Sequence, residues 1–175
     1  MARTEKFDEL ITRDEIQTRV RELAGEIEKD YQGEEILIVC VLKGAFIFSA
    51  DLLRYMSFSV QVDFLAVSSY GSSTESSGII KISKDLDVNI QGKNVLLVED
   101  IVDTGLTLNY LKENLNSRAP KSLRVCTLLD KPDRRKVEIS PDYTGFIIDD
   151  YFVVGYGLDY AEYYRNFPGV RILPG

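Results

Sequence analysis

Three apolar runs, at residues 36–42, 95–98 and 123–129, constrain most strongly what this sequence can fold into. None of them alternates strictly between apolar and polar residues, as a strand with one solvated face would. Runs of this kind are typical of strands buried on both faces, which occur in parallel sheets covered by helices. The sequence therefore predicts an α/β fold with a central, mainly parallel sheet flanked by helices.

The segments around these runs predict helices and shorter strands. Thr12 and Glu15 form a capping-box pattern ahead of apolar residues at helical spacing, which predicts a helix over about 13–31. Further helices are predicted over 45–56 and 106–115, and further strands over 60–67, 79–83, 143–148 and 152–154. The tail from Gly157 is aromatic-rich and irregular. We expect the two chain ends to pack together as a small cap beside the sheet.

The composition excludes several classes of function. With 28 acidic and 21 basic residues the formal net charge is −7, which argues against a nucleic-acid-binding surface. The sequence has no histidine, so His-ligated zinc sites, Ser-His-Asp triads and Cys-His dyads are excluded. No apolar stretch approaches the ~18 residues of a membrane span and the start lacks an apolar signal core, so we expect a cytoplasmic protein without a membrane partner.

The segment 95–107 carries the clearest chemical pattern. A buried strand is followed by the carboxylates Glu99 and Asp100, then by Asp103-Thr104-Gly105 and a predicted helix. A helix N-terminus at the carboxyl edge of a sheet favours a phosphate, and the two acids suit sugar hydroxyls or a Mg²⁺ ion. The pattern indicates a sugar-phosphate site; alternatively, Asp103 or Thr104 only caps the helix and the two acids are solvated.

This segment resembles the phosphoribosyl-pyrophosphate signature of type I phosphoribosyltransferases: four apolar residues, two acids, two apolar residues, then Asp-Thr-Gly-x-Thr. Three further segments, 42–44, 68–71 and 152–160, resemble the pyrophosphate loop, the start of the mobile lid and the base-binding segment of the 6-oxopurine enzymes in that family. The resemblance runs from about residue 8 to 173. It implies the type I phosphoribosyltransferase fold, with a small hood formed by the N- and C-terminal segments.

The resemblance also implies roles for individual residues. Those implied to bind phosphoribosyl pyrophosphate are Glu99, Asp100, Ile101, Val102, Asp103, Thr104, Gly105 and Thr107. Those implied to bind pyrophosphate are Lys43, Gly44 and Arg165, and those implied to bind the purine are Lys131, Phe152, Val153 and Asp159. Mg²⁺ would be held by Glu99, Asp100 and Asp159; Ser69 and Tyr70 would belong to the lid, and Asp103 would be the general base. The peptide between Leu42 and Lys43 is expected to be cis.

The implied activity is transfer of the 5-phosphoribosyl group to N9 of hypoxanthine or guanine, with Mg²⁺ as cofactor and small molecules as partners. We expect one domain over residues 1–175, with a core over about 34–150, a hood made of the N-terminal helix and residues 151–175, and a lid over 68–78. Family resemblance suggests a homodimer or homotetramer. Two alternatives stay open: a regulatory protein that binds phosphoribosyl pyrophosphate without turnover, and a transferase that prefers xanthine.

Overall fold

The computed structural model describes residues 7–69 and 80–174. Three α-helices occur in these ranges: α1 (Arg13–Tyr31), α2 (Phe46–Tyr55) and α3 (Leu106–Asn116). The strands are β1 (Asp8–Ile11), β2 (Ile36–Leu42), β3 (Gln61–Ser69), β4 (Ile80–Lys84), β5 (Asn94–Val102), β6 (Ser122–Asp130), β7 (Tyr143–Ile147), β8 (Val153–Val154) and β9 (Val170–Ile172). The predicted helices and the three buried strands are confirmed. The predicted capping box also forms, since the Thr12 hydroxyl accepts from the Glu15 N–H and the Glu15 carboxylate accepts from the Thr12 N–H.

A six-stranded sheet with the order β4-β3-β2-β5-β6-β7 forms the centre of the described part of the chain. All neighbouring pairs are parallel except β3 and β4, which run antiparallel. The sheet separates two apolar cores. One contains the buried faces of α1 and α2, with Ile16 and Phe48, and the other contains that of α3, with Leu111. Burial on both faces explains why the sequences of β2, β5 and β6 have no regular polar face.

A second, three-stranded sheet with the order β1-β9-β8 brings together segments from near the two ends of the described chain. Asp8 pairs with Ile172, and Val153 pairs with the same residue from the other side. The tail after Gly157 is therefore not wholly irregular as predicted, because β9 forms between two partners, and β1 is a strand that the sequence did not indicate. Helix α1 packs against α2 and against β7 of the six-stranded sheet.

Parts of the expected organisation concern residues outside the described ranges. The predicted lid over 68–78 includes Ser68 and Ser69, at the end of β3, but Tyr70 and the residues up to 79 lie outside the described residues. The lid and the division into core and hood stay predictions. No helix in the described part of the chain is both long and apolar enough to span a membrane.

Candidate active site

Strand β5 carries the two predicted carboxylates within it rather than beyond its end. The sequence pattern places the end of the strand at Val98, whereas pairing with β6 continues to Val102, which lies opposite Asp130. Glu99 and Asp100 are thus held by the sheet itself. The chain then turns through Asp103 and Thr104 into α3.

The first turn of α3 is open toward this edge of the sheet. Its N-cap is Gly105, in the left-handed conformation at φ 82°, and no side chain caps it. Thr104 Oγ1 lies 3.4 Å from the Leu106 nitrogen, a long contact for a hydrogen bond. The alternative in which Asp103 or Thr104 only caps the helix is therefore not what forms, and the backbone N–H groups remain directed at the loop.

A cavity of about 340 Å³ lies over this loop. It brings together all residues implied to contact phosphoribosyl pyrophosphate, the pyrophosphate group or the metal: Lys43, Gly44, Glu99, Asp100, Ile101, Val102, Asp103, Thr104, Gly105, Thr107, Asp159 and Arg165. The peptide bond between Leu42 and Lys43 at its rim is cis, as the resemblance implies.

A smaller cavity of about 210 Å³ adjoins the first one. Its lining contains the residues implied to contact the purine, namely Lys131, Phe152, Val153 and Asp159. Asp100, Ile101, Asp103 and Asp159 line both cavities. The two cavities therefore meet at a set of mainly acidic side chains, with Asp103 at the junction.

Glu99 and Asp100 make the floor of the larger cavity strongly acidic. Burial, together with the neighbouring Asp100 carboxylate, raises the pKa of Glu99 well above its ordinary value. Burial likewise raises the pKa of Asp100 to about 6. Two neighbouring carboxyl groups with raised pKa values resist ionisation. A cation bound between them and a ligand would stabilise their ionised forms.

The donor set at this edge fits Mg²⁺ bound jointly with a substrate. Among the described residues no group of three or more Asp, Glu, His or Cys side chains converges as a ready-made metal cage. Mg²⁺ commonly binds through one or two carboxylates, keeps several waters and takes its remaining ligands from substrate phosphates. Glu99 and Asp100 on β5 and Asp159 across the cavity supply carboxylates of this kind.

The two predicted pyrophosphate cations are held by one carboxylate that the sequence did not indicate. Glu162 accepts from Lys43 Nζ at 2.6 Å and from Arg165 Nη2 at 3.2 Å. The Lys43 ammonium correspondingly lowers the pKa of Glu162. Arg165 also pairs with Asp159 at 3.1 Å and donates to the Gly157 carbonyl at 2.8 Å. Nothing in the motif marks Glu162, since its role depends on the turn that folds it back toward Lys43.

Lys131 and Phe152 both line the smaller cavity, and they differ in how exposed they are. Lys131 is buried, and its ammonium donates to the Tyr151 carbonyl at 2.6 Å and lies 3.5 Å from Asp150. The Phe152 ring is 56 % exposed and meets Tyr160 edge-on, with 5.7 Å between ring centroids. A fixed cation beside an accessible aromatic face can bind a flat ring that carries a hydrogen-bond acceptor.

Two arginines that the sequence analysis did not single out hold the Asp103 loop. Arg134 Nε donates to Asp103 Oδ1 at 3.1 Å. Arg135 donates to the carbonyls of Val102, Asp103 and Lys131 and pairs with Asp130. The available signal was the basic pair Arg134-Arg135, three residues after Lys131 and shortly past the carboxyl end of a buried strand.

Comparisons with known proteins agree with this geometry. Residues 8–161 match the family model of the phosphoribosyl transferase domain. The chain is 51 % identical to a hypoxanthine-guanine phosphoribosyltransferase of Bacillus subtilis over 164 residues, covering 94 % of this chain and 91 % of that protein. It is 53 % identical to the hypoxanthine-guanine phosphoribosyltransferase of Aquifex aeolicus over 172 residues, covering 98 % and 97 %.

Solved structures give the same result. A hypoxanthine-guanine phosphoribosyltransferase from Bacillus anthracis, crystallised with a HEPES molecule in its active site, superimposes with a TM-score of 0.93 at 52 % identity, covering 97 % of this chain and 100 % of that one. A hypoxanthine phosphoribosyltransferase from Staphylococcus aureus superimposes with a TM-score of 0.91 at 47 % identity, covering 95 % and 91 %. With its fold, its two adjoining cavities and these relatives, the chain belongs to the phosphoribosyltransferase family, among the hypoxanthine-guanine phosphoribosyltransferases.

Proposed function

We propose that this protein transfers the 5-phosphoribosyl group from phosphoribosyl pyrophosphate to N9 of hypoxanthine or guanine, forming the 5′-mononucleotide and releasing pyrophosphate. The observation that carries the proposal is the junction of the two cavities at Asp100, Asp103 and Asp159. The reaction joins a phosphorylated sugar to a flat base, and the two cavities provide one compartment for each. The relatives that share about half of this sequence carry the same activity in their names.

The leaving group is the first chemical requirement. As the bond from ribose C1 to pyrophosphate breaks, negative charge grows on the pyrophosphate, and preorganised cations stabilise it. Lys43 and Arg165 lie at the larger cavity with their charges paired to Glu162. Pyrophosphate would replace Glu162 as the partner of both cations. The main chain at Gly44 would approach the pyrophosphate closely because no side chain intervenes. The open N-terminus of α3 would hold the 5′-phosphate.

Glu99, Asp100 and Asp159 would hold Mg²⁺ together with phosphoribosyl pyrophosphate. When bound, the ion would neutralise the phosphate charges and orient the leaving group. Without it, the acidic floor of the cavity would repel the substrate.

Asp103 would serve as the general base. It lines both cavities, so its carboxylate can reach a proton on the purine ring near the new bond. A base in this chain cannot be an imidazole, since the sequence contains no histidine. A carboxylate that accepts the N7 proton while N9 attacks fits this position.

Lys131 would select 6-oxopurines. Its ammonium has only hydrogen-bond donors to offer, so it fits the O6 acceptor of hypoxanthine or guanine and not the 6-amino group of adenine. Its burial against the Tyr151 carbonyl limits any rearrangement. Phe152 would stack on the base, and the Val153 main chain would contact its edge.

We further propose a cytoplasmic homodimer or homotetramer acting on small molecules alone. The acidic net charge of −7 supports the absence of a nucleic-acid partner. The segment 68–78 would close over the reactive ribose and exclude water.

The test is nucleotide formation from phosphoribosyl pyrophosphate and Mg²⁺ with hypoxanthine, guanine, xanthine, adenine and uracil in parallel. We expect inosine and guanosine monophosphate, no adenosine monophosphate, and a much lower kcat for Asp103→Asn with little change in phosphoribosyl-pyrophosphate binding. Comparable losses of turnover and binding would contradict the role of Asp103, and equal use of adenine and hypoxanthine would contradict that of Lys131. Faster turnover of xanthine than of hypoxanthine or guanine would make xanthine the preferred substrate. Binding of phosphoribosyl pyrophosphate without turnover of any base would indicate a regulatory protein.

A further inference from the structure

Four charged side chains of alternating sign link the two sides of the smaller cavity. Arg134 Nε lies 3.1 Å from Asp103 Oδ1, and Arg134 Nη1 lies 3.4 Å from Asp150 Oδ2. Asp150 Oδ1 in turn lies 3.5 Å from Lys131 Nζ. Asp103 and Lys131 line the cavity, whereas Arg134 and Asp150 connect them from outside it.

The backbone around Arg134 is fixed independently of this side-chain link. Arg134 ends a short 3₁₀ helix (Pro132–Arg134), and its N–H donates to the Lys131 carbonyl at 3.1 Å. The neighbouring Arg135 guanidinium donates to the carbonyls of Asp103 at 2.6 Å and Lys131 at 3.2 Å, which ties the loop after β5 to the segment after β6. The Arg134 side chain therefore extends from a rigid frame toward Asp103.

On the basis of this link, we propose that Arg134 is a positioning residue that acts through Asp103; the inference rests on the proposed function. N7 and O6 lie on the same edge of a 6-oxopurine, so Asp103 and Lys131 must be set at a matched spacing to contact them together. A charge-assisted hydrogen bond to Oδ1 fixes the plane of the Asp103 carboxylate, and Oδ2 is its second acceptor. General bases are commonly oriented by a third group in this way.

The exposure of the pair separates this role from a purely structural one. The side chains of Arg134 and Asp103 are 46 % and 42 % exposed, and an ion pair this open to water contributes little to folding stability. Loss of the guanidinium should therefore leave the thermal unfolding of the protein unchanged. Its effect should fall on the chemical step alone.

The experiment is a double-mutant cycle measured as the single-turnover rate constant of inosine monophosphate formation, so that product release does not mask the chemical step. We expect Arg134→Gln to lower this rate constant by about tenfold, as for loss of a hydrogen bond to a charged group. The KM for phosphoribosyl pyrophosphate should stay within about twofold of the wild-type value. Arg134→Lys keeps the positive charge but lacks the planar guanidinium that contacts two carboxylates at once. It should lower the rate constant by only about threefold.

The decisive comparison is made in the Asp103→Asn background. There Arg134→Gln should cause no further loss, because the carboxylate through which it acts is gone. Lys136→Gln is the matched control, since it removes the same charge from an exposed position two residues away and should retain the wild-type rate. A full tenfold loss on top of Asp103→Asn, or an equal loss in Lys136→Gln, would overturn the inference.

Two further outcomes separate this inference from the proposed function. If the wild-type protein forms nucleotide and Arg134→Gln does so at the same rate, the role of Arg134 is overturned and the proposed function remains in place. Absence of nucleotide formation by the wild-type protein overturns both.

Discussion

Gly44 lies where the backbone approaches the Asp100 carboxylate so closely that a side chain at this position would displace it. A Cβ at this position would be 1.7 Å from Asp100 Oδ2, well inside van der Waals contact. Gly157, at φ 101°, faces the same segment, and a Cβ there would be 2.2 Å from the Gly44 carbonyl oxygen. The two glycines therefore let three segments distant in sequence meet at the candidate metal and pyrophosphate positions.

The Asp100 carboxyl makes a testable contribution to stability. Its pKa is raised to about 6 in the folded protein from an ordinary value of 3.8, chiefly by burial. Between about pH 4 and pH 6 the folded state therefore holds a proton that the unfolded state has lost, so stability falls as pH rises through this range. We expect Asp100→Asn to raise the free energy of unfolding at pH 7.5 by about 1 kcal/mol or more, or ~2–4 °C in Tm.

Thermal unfolding at pH 7.5 and pH 4 checks this expectation. The gain should shrink toward pH 4, where the wild-type carboxyl is itself neutral, and the variant should lose activity. Asp133→Asn, at an exposed position, serves as the control and should behave like the wild type at both values. If Asp100→Asn is less stable than the wild type at pH 7.5, the ionised Asp100 carboxylate does not destabilise the folded protein.

Among the elements, α1 begins with a capping box whose contribution to the free energy of unfolding can be measured. Thr12 Oγ1 accepts from the Glu15 N–H at 3.2 Å, and Glu15 Oε2 accepts from the Thr12 N–H at 2.8 Å. Thr12→Ala should lower the free energy of unfolding by about 1 kcal/mol, ~2–4 °C in Tm, with kcat unchanged because none of the described residues that line either cavity belongs to α1. Thr18→Ala, exposed within the same helix, should cost nothing. Equal destabilisation by both substitutions would mean that the cap is not the cause.

The elements that the sequence predicts and those it does not differ in where their stabilising partners lie. The strands β2 and β5 are visible from their own apolar residues, and α1 from its cap and spacing. Strands β1 and β9 of the three-stranded sheet have only four and three residues, and each depends on the other across more than 160 positions, as the pairing of Asp8 with Ile172 illustrates. Short strands of this kind carry no periodic signal of their own.

The candidate site follows the same rule. The residues of the segment 99–107 follow from a contiguous pattern, and the structure places all of them except Leu106 around one cavity. Glu162, Arg134 and Arg135 did not follow from the sequence, because each acts on a partner brought near by the fold: Lys43 in one case and the Asp103 loop in the other two. Residue type alone does not identify such a partner.

For the whole molecule, the acidic net charge of −7 and the acidic cavity floor predict how a ligand changes stability. Phosphoribosyl pyrophosphate with Mg²⁺, at about 100 times its Kd, should stabilise the folded state by about 2.7 kcal/mol, or ~5–10 °C in Tm. With EDTA the shift should be much smaller, because the substrate's negative charges would face Glu99 and Asp100 without compensation. Differential scanning fluorimetry measures both, with Mg²⁺ alone as the control. Equal shifts with and without Mg²⁺ would contradict the metal role of these carboxylates.

The position of β9 between β1 and β8 also sets an order of assembly during synthesis. All six strands of the central sheet have been made by Ile147, whereas the three-stranded sheet lacks its middle strand until Ile172 has left the ribosome. Arg165 lies in the stretch that joins β8 to β9, and this stretch is tethered at both ends only at that stage. A nascent chain can thus form the central sheet and bury the core under α3 before Arg165 is in place, so the candidate site is completed last.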